Sequence, residues 1–298
     1  MSHSAIPAEP LAWIDAPAPD GRWGSPEELA LPIGDRGLLL ADGLFETLLV
    51  QGGTPQLLGP HLARWHSAAA LLGMEAPPQR DRLEPLIAAA VERSGIRSGA
   101  LRLNWSRGTP GAGSGRGVAL PDHCRHRFWL QLNPATPSFA PVTVLMSASE
   151  RRDPLSLLSR CKTFAYGSAI QARRGAAAAG ADDALLTSTS GELSCGSTAN
   201  LLLRRGDGWL TPPLTSGCLP GVMRARALEL GLAREAPLHP HDLPGCSGAL
   251  LLNSLGCRPI HQWHTPGEHQ AIAWPQQGHK GWAAALAQEA ASLWTQLL

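Results

Sequence analysis

Apolar residues recur along this chain with two alternating periods, and the local period predicts the element. Residues 36–50, RGLLLADGLFETLLV, read as a turn followed by a strand that ends at Leu48, Leu49 and Val50, and Gly52-Gly53 turns it into a hairpin. From Pro60 the spacing lengthens: Leu62, Trp65, Ala69 and Leu72 share one helical face, and Arg64 points off it. Leu83, Leu86, Ile87, Ala90 and Val91 predict a second helix over 80–94, followed by strands at 100–106 and 127–132. Three prolines in PATPSFAP, 134–141, break the pattern. They predict a small N-terminal α+β domain over 1–136 and a larger C-terminal α+β domain over 137–298 that carries Lys162. The second part predicts a strand at 142–148, a helix over 163–179, a strand at 183–188, a hairpin at 199–211, a helix over 220–232, a strand at 248–253 and a closing helix from about Gly281 to 297. Hairpins mixed with helices, without an internal repeat, favour α+β over a regular βαβ series.

Composition narrows the function. The 298 residues are 44% hydrophobic, with no apolar stretch long enough for a bilayer crossing, so the expectation is a soluble protein without a membrane partner. A net charge of +1, with 16% charged residues and no like-charged run, excludes nucleic-acid binding through a positive field. The first 23 residues read as a flexible start without a secretory signal. Six cysteines at 124, 161, 195, 218, 246 and 257, with no CxxC, predict reduced thiols in a cytoplasm and exclude a zinc ribbon.

Few segments carry chemistry by themselves. The glycine-rich stretch RGTPGAGSGRG, 107–117, matches no nucleotide-binding pattern; it is equally a mobile loop, with Arg107 and Arg116 clamping a substrate carboxylate, or an inert hairpin. Histidine pairs at 123/126, 239/241 and 261/264 lack metal-ligand spacing and read as solvated loop residues, so no metal is expected. The chain uses 23 arginines and only two lysines, Lys162 and Lys280. An arginine serves as well for a surface charge, but only an amine can form a Schiff base with an aldehyde. Lys162 falls at the predicted start of the 163–179 helix, and Tyr166, the only tyrosine, stands four residues on, where a helix would put both on one face. Lys280, near the start of the last helix, reads as solvated.

Six segments in order then resemble the branched-chain-aminotransferase-like class IV family of pyridoxal-phosphate enzymes: GDRGLLLADGLFETLLV, GPHLARWHSAAALLGM, CKTFAYGSAIQARR with GADDALL, CGSTANLLL, TPPLTSGCLPGVMR and LLLNSLGCRPI. The resemblance covers about residues 34–260 and implies a two-domain α+β fold of type IV, like D-amino-acid aminotransferase, with pyridoxal 5'-phosphate as cofactor and a homodimer as assembly. It makes Lys162 the Schiff-base lysine and puts Tyr166 beside the cofactor's phenolic oxygen. Arg64, the main-chain amides of Val222 and Met223, and Ser254 fall at phosphate-binding positions, in keeping with a helix start that favours an anion. Asn253, with Arg107 and Arg116, falls on the substrate side. NSLGCRPI, with one residue fewer between Asn253 and Pro259 than the pattern, and Ser106-Arg107-Gly108 look most like aminodeoxychorismate lyase.

One position departs from the family. Where it carries a glutamate that keeps the pyridine nitrogen protonated, this chain has Cys195, and a thiol with a reference pKa of about 8.5 is mostly neutral and a weak partner. Glu192, three residues back along a regular strand, would face the other way. The leading expectation is a lyase that converts 4-amino-4-deoxychorismate to 4-aminobenzoate and pyruvate. The alternatives are an aminotransferase of branched-chain or D-amino acids and a non-catalytic relative.

Overall fold

The computed structural model describes residues 9–15, 21–111, 117–121, 123–265, 267, 272–273 and 281–298. The chain divides into two compact units, Met1–Thr136 with Cys161–Ala165, and Pro137–Arg160 with Tyr166–Leu298.

The first unit contains strands β1 (Leu11–Ile14), β2 (Arg22–Gly24), β3 (Gly43–Gln51), β4 (Thr54–Pro55), β5 (Ser98–Pro110) and β6 (Cys124–Pro134), and helices α1 (Arg36–Leu40), α2 (Leu58–Leu71) and α3 (Arg80–Ser94). The strands form one antiparallel sheet in the order β2-β1-β6-β5-β3-β4. Register sorts the side chains by face. Leu44, Trp105 and Phe128 stand opposite one another, as do Leu48, Leu101 and Leu132, and α2 and α3 cover this face with Leu62, Trp65, Leu83 and Ile87. Each such fully buried side chain stabilises the unit by roughly 1.5–3 kcal/mol. The other face carries Phe45, Asn104 and Trp129 in one cross-strand row and Thr47, Arg102 and Gln131 in the next. The expected flexible start includes β1, whose Ala12, Trp13 and Ile14 are buried where it pairs with β6. The expected turn before β3 contains α1, capped by the Asp35 carboxylate, which accepts from Gly37 N at 2.8 Å.

Cys161–Ala165 belongs to this first unit, which corrects the expectation that the C-terminal domain carries Lys162. The segment bonds to the start of β3 like an extra strand: Phe45 N donates to Lys162 O at 2.9 Å, Phe164 N donates to Gly43 O at 3.0 Å, and Thr163 bridges Leu44. Position 43 must be glycine for this, since a Cβ there would lie 2.2 Å from the Phe164 ring.

The second unit contains β7 (Val142–Arg152), α4 (Gly167–Ala178), β8 (Asp183–Ser188), β9 (Leu193–Gly196), β10 (Asn200–Arg205), β11 (Gly208–Thr211), α5 (Val222–Glu229), β12 (Ala233–Glu235), β13 (Gly248–Asn253), β14 (Gly256–His264), β15 (Ile272–Ala273) and α6 (Trp282–Leu297). Its sheet runs β12-β11-β10-β13-β14-β7-β8-β9, with β15 on β14. Cys195 of β9 also pairs with Asn200 of β10, so six of these strands close into a ring at Cys195. Val144, Leu185, Leu193, Leu201, Leu251 and Ile260 pack on one side, and α4 sets Ala172 and Ala176 against Ala184, Leu186 and Cys195 on the other. The helix expected over 163–179 starts only at Gly167, because Lys162–Phe164 is hydrogen-bonded to β3. No helix among the described residues is long and apolar enough to cross a membrane.

Candidate active site

In the first unit the chemistry gathers at the start of β3. Lys162, held in extended backbone, places Nζ 4.2 Å from the centroid of the Phe45 ring. On the core face Glu46 interrupts the run Leu44, Leu48 with a carboxylate that is 1% exposed. Two residues of α2 satisfy it. Arg64 Nε donates to Oε1 at 2.8 Å and its Nη2 to Oε2 at 2.5 Å, while His61 Nδ1 lies 2.8 Å from Oε2. Burial by itself would push Glu46 up, but the Arg64 charge and the His61 and Arg64 hydrogen bonds outweigh it and bring the carboxyl down to about 2. Burial pushes His61 down against the pull of Glu46, with Lys162 adding to the shift, so its ring is neutral and donates from Nδ1. The Arg64 side chain is 12% exposed and braced by a buried carboxylate. The pattern of β3 contained this signal, because period-two alternation puts Glu46 on the core face.

In the second unit three turns meet at one end of the strands. Asn200 Nδ2 donates to Leu219 O at 2.9 Å, and Asn253 Nδ2 reaches Thr198 O at 3.5 Å, which ties the 195–200, 219–223 and 253–254 segments together. Gly221 caps α5 with no side-chain hydrogen bond, and a Cβ at this position would stand 1.9 Å from Asn200 Oδ1. Val222 and Met223 follow as the first residues of the helix, where amides lack intrahelical acceptors. Ser254 lies in the turn after β13. Tyr166 is the N-cap of α4 and Lys162 precedes that helix, so the shared helical face expected for the pair is not formed.

Cys195 is buried, and burial pushes its thiol up despite the nearby Arg152 charge, so it is a neutral group. The argument that Glu192 faces away fails for a specific reason. Cys195 pairs with Leu186 but Leu193 with Thr187, so a bulge at Ser194 resets the alternation. Glu192 is instead engaged by Ser216, whose Oγ donates to Oε2 at 2.7 Å.

Two substrate-side expectations change. Arg107, 8% exposed, donates from Nε to Asp42 Oδ2, from Nη1 to Gly73 O and from Nη2 to Leu72 O, each at 2.9 Å. It joins the end of α2 to the α1–β3 turn. Asn253 accepts Leu255 N at 2.8 Å on Oδ1, so its side chain builds the β13–β14 turn. Arg116 and Lys280 lie outside the described residues. Among the described residues no group of three or more His, Cys, Asp or Glu side chains is placed to hold a metal, and His239 and His241 stack 5.1 Å apart.

The first unit offers an amine beside an aromatic ring and an arginine fixed by a buried carboxylate, and the second offers an uncapped helix start that suits an anion. The six-stranded sheet of the one and the closed ring of strands of the other give a two-unit α+β fold of type IV. Residues 43–263 match the amino-transferase class IV family, and the chain belongs to it. A bifunctional aminodeoxychorismate lyase / D-amino acid transaminase of Mycobacterium tuberculosis is 27% identical over 253 residues, 79% of this chain and 86% of that one. A D-alanine aminotransferase of Bacillus licheniformis is 23% identical over 220 residues, 71% and 73% of the two chains. The fold matches that of a hypothetical aminotransferase of Mycobacterium tuberculosis in its PLP-bound form, with a TM-score of 0.74, 22% identity and coverage of 96% and 99%. Pyridoxal phosphate is the cofactor of this class.

Proposed function

We propose that this chain is a lyase that splits 4-amino-4-deoxychorismate into 4-aminobenzoate and pyruvate. The observation that carries the reading is Cys195, a buried neutral thiol where the family carries a carboxylate. Bound pyridoxal phosphate supplies an aldehyde for the substrate amine and a ring that takes up an electron pair. A thiol partner leaves that ring a weaker electron sink. Transamination must stabilise a carbanion and reprotonate it elsewhere, whereas loss of the enolpyruvyl group is driven by aromatisation and tolerates the weaker sink.

Lys162 Nζ takes the proton from the carbon that bears the nitrogen and returns it to the leaving group, which departs as pyruvate. Arg64, oriented by Glu46, would hold the cofactor's phosphate, together with the amides of Val222 and Met223 and the Ser254 hydroxyl. Tyr166 would donate a hydrogen bond to the cofactor's phenolic oxygen. A cytoplasmic homodimer completes the reading, supported by six cysteines that form no disulfide and by exposed Leu38, Leu39 and Leu40.

Release of pyruvate from the chorismate-derived amine without added keto acid tests the lyase. Strict dependence on a keto acid is the result expected of an aminotransferase, a reading favoured by the two activities in the name of the Mycobacterium tuberculosis relative. A visible absorbance of the lysine-bound cofactor that Lys162→Ala abolishes rules out a non-catalytic protein.

A further inference from the structure

We propose that Arg152 sets the charge beside the cofactor's ring nitrogen in this chain and keeps that nitrogen without a proton. That the ring nitrogen lies at Cys195 rests on the proposed function; the surroundings of Cys195 belong to the second unit alone. Strand register puts the two residues on one face of its sheet. Cys195 pairs with Leu186 of β8, and Arg152 pairs with Ser188, two residues further along the same strand. Leu186, Ser188, Cys195 and Arg152 therefore share a face, while Thr187, Leu193 and Arg151 take the other. The shared face is the one that α4 covers with Ala172 and Ala176.

The guanidinium is half-buried and fixed by neutral groups. Nε donates to Gly217 O at 3.0 Å and Nη2 to Ser159 O at 3.3 Å, both main-chain carbonyls, and among the described residues Arg152 forms no ion pair. The 217 turn approaches it closely, since a Cβ at Gly217 would stand 3.0 Å from the Arg152 Cβ. The next residue, Cys218, packs in the same cluster as Cys195. Burial pushes Cys195 up, and the Arg152 charge is the strongest pull against it. Burial pushes Cys218 up to about 11, with Arg224 and Arg152 pulling the other way.

The carboxylates of the neighbouring strands are engaged by other groups. Asp183 Oδ1 accepts from Ser197 Oγ and from Ala184 N, and Oδ2 lies 3.6 Å from Arg173 Nη2. Its charge is felt at Cys195 more weakly than that of Arg152. Glu192 accepts from Ser216 Oγ, and the residues α4 packs into the cluster, Ala172 and Ala176, are uncharged. A ring nitrogen set against a neutral thiol and this guanidinium meets a positive potential, and one positive charge disfavours a second beside it. Without its proton the ring takes up an electron pair less readily. That disfavours transamination and spares an elimination driven by aromatisation, which makes Arg152 a specificity-determining residue.

The test is nitrogen NMR, across pH, of pyridoxal phosphate isotopically labelled at the ring nitrogen and bound to the wild type, Arg152→Met, Ser188→Asp, Cys195→Ser and Cys195→Glu. The wild-type nitrogen should carry no proton at neutral pH. Arg152→Met removes the charge, and Ser188→Asp, across β7 and β8 from Arg152, pairs it in place. Each should raise the pH at which the nitrogen takes its proton by about 1 pH unit. Ser188→Asp keeps the main-chain contacts of Arg152, so it answers even where Arg152→Met does not fold. Cys195→Ser, still neutral, should change nothing, and Cys195→Glu should protonate the nitrogen at neutral pH. A protonated wild-type nitrogen, or a change in Cys195→Ser as large as that in Arg152→Met, overturns the proposal. A response to Cys195→Glu alone refutes the role of Arg152 and keeps Cys195 at the ring nitrogen. No response to any substitution refutes that placement, and the proposal with it. An unprotonated, Arg152-dependent nitrogen in an enzyme that releases no pyruvate supports the proposal while refuting the lyase reading.

Discussion

Glu46→Gln separates the brace behind Arg64 from simple packing, because the two residues are nearly the same size and differ in charge. In the folded chain the carboxyl is held from an ordinary value near 4.5 down to about 2. At 1.36 kcal/mol per pH unit, the ionised form contributes about 3 kcal/mol at neutral pH, in line with the roughly 3–5 kcal/mol cost of breaking a buried ion pair. A depressed carboxyl stabilises the fold above its unfolded pKa, and that contribution is lost as pH falls through the folded value. The wild type should therefore exceed Glu46→Gln by about 3 kcal/mol at pH 7 and by only about 2 kcal/mol at pH 3.5, measured by urea unfolding at both pH values. Both proteins should also weaken as pH drops below about 6.5, because His61 is held neutral by the fold and an unfolded histidine takes its proton first. Cofactor affinity, titrated by absorbance, should fall in the variant as Arg64 loses its fixed orientation. A stability gap under about 1 kcal/mol at pH 7, or one that does not narrow in acid, refutes the assignment of Glu46 as an ionised brace.

Two further substitutions test the remaining assignments. Arg107→Met should lower stability by roughly 2–4 kcal/mol through the loss of three hydrogen bonds, with KM of the folded enzyme within twofold of wild type; a tenfold KM rise at unchanged Tm would return Arg107 to the substrate. Cys195→Glu should raise transamination and leave lyase turnover nearly unchanged, read as parallel rates with and without a keto acid, whereas equal gains in both contradict the electron-sink argument. The same variant should cost roughly 1–3 kcal/mol from overpacking against Ala172, Ala176 and Leu186.

Most elements were legible because each pairs a clear period with clear punctuation. The helix over 80–94 and the strands at 183–188 and 248–253 fall where their patterns put them. The failures share a cause, which is pairing with a partner remote in sequence. Leu11–Ile14 is a short edge strand defined by β6, and Lys162–Phe164 leaves its predicted helix because β3 supplies better hydrogen bonds. A one-residue bulge at Ser194 defeats the parity argument for Glu192. Lys162 stood out by composition, since the chain writes arginine wherever charge suffices, but Glu46, His61 and Arg102 did not. The alternation of β3 and β5 puts Glu46 and Arg102 on opposite faces of the sheet, and His61 reaches Glu46 from α2, a meeting that no local pattern encodes.

The most direct test of the central claim is incubation of the cofactor-loaded protein with 4-amino-4-deoxychorismate alone, following 4-aminobenzoate and pyruvate together. The lyase reading predicts that both appear at equal rates without a keto acid and that neither appears with Lys162→Ala. Turnover that begins only when a keto acid is added, with no pyruvate released from the substrate, contradicts it.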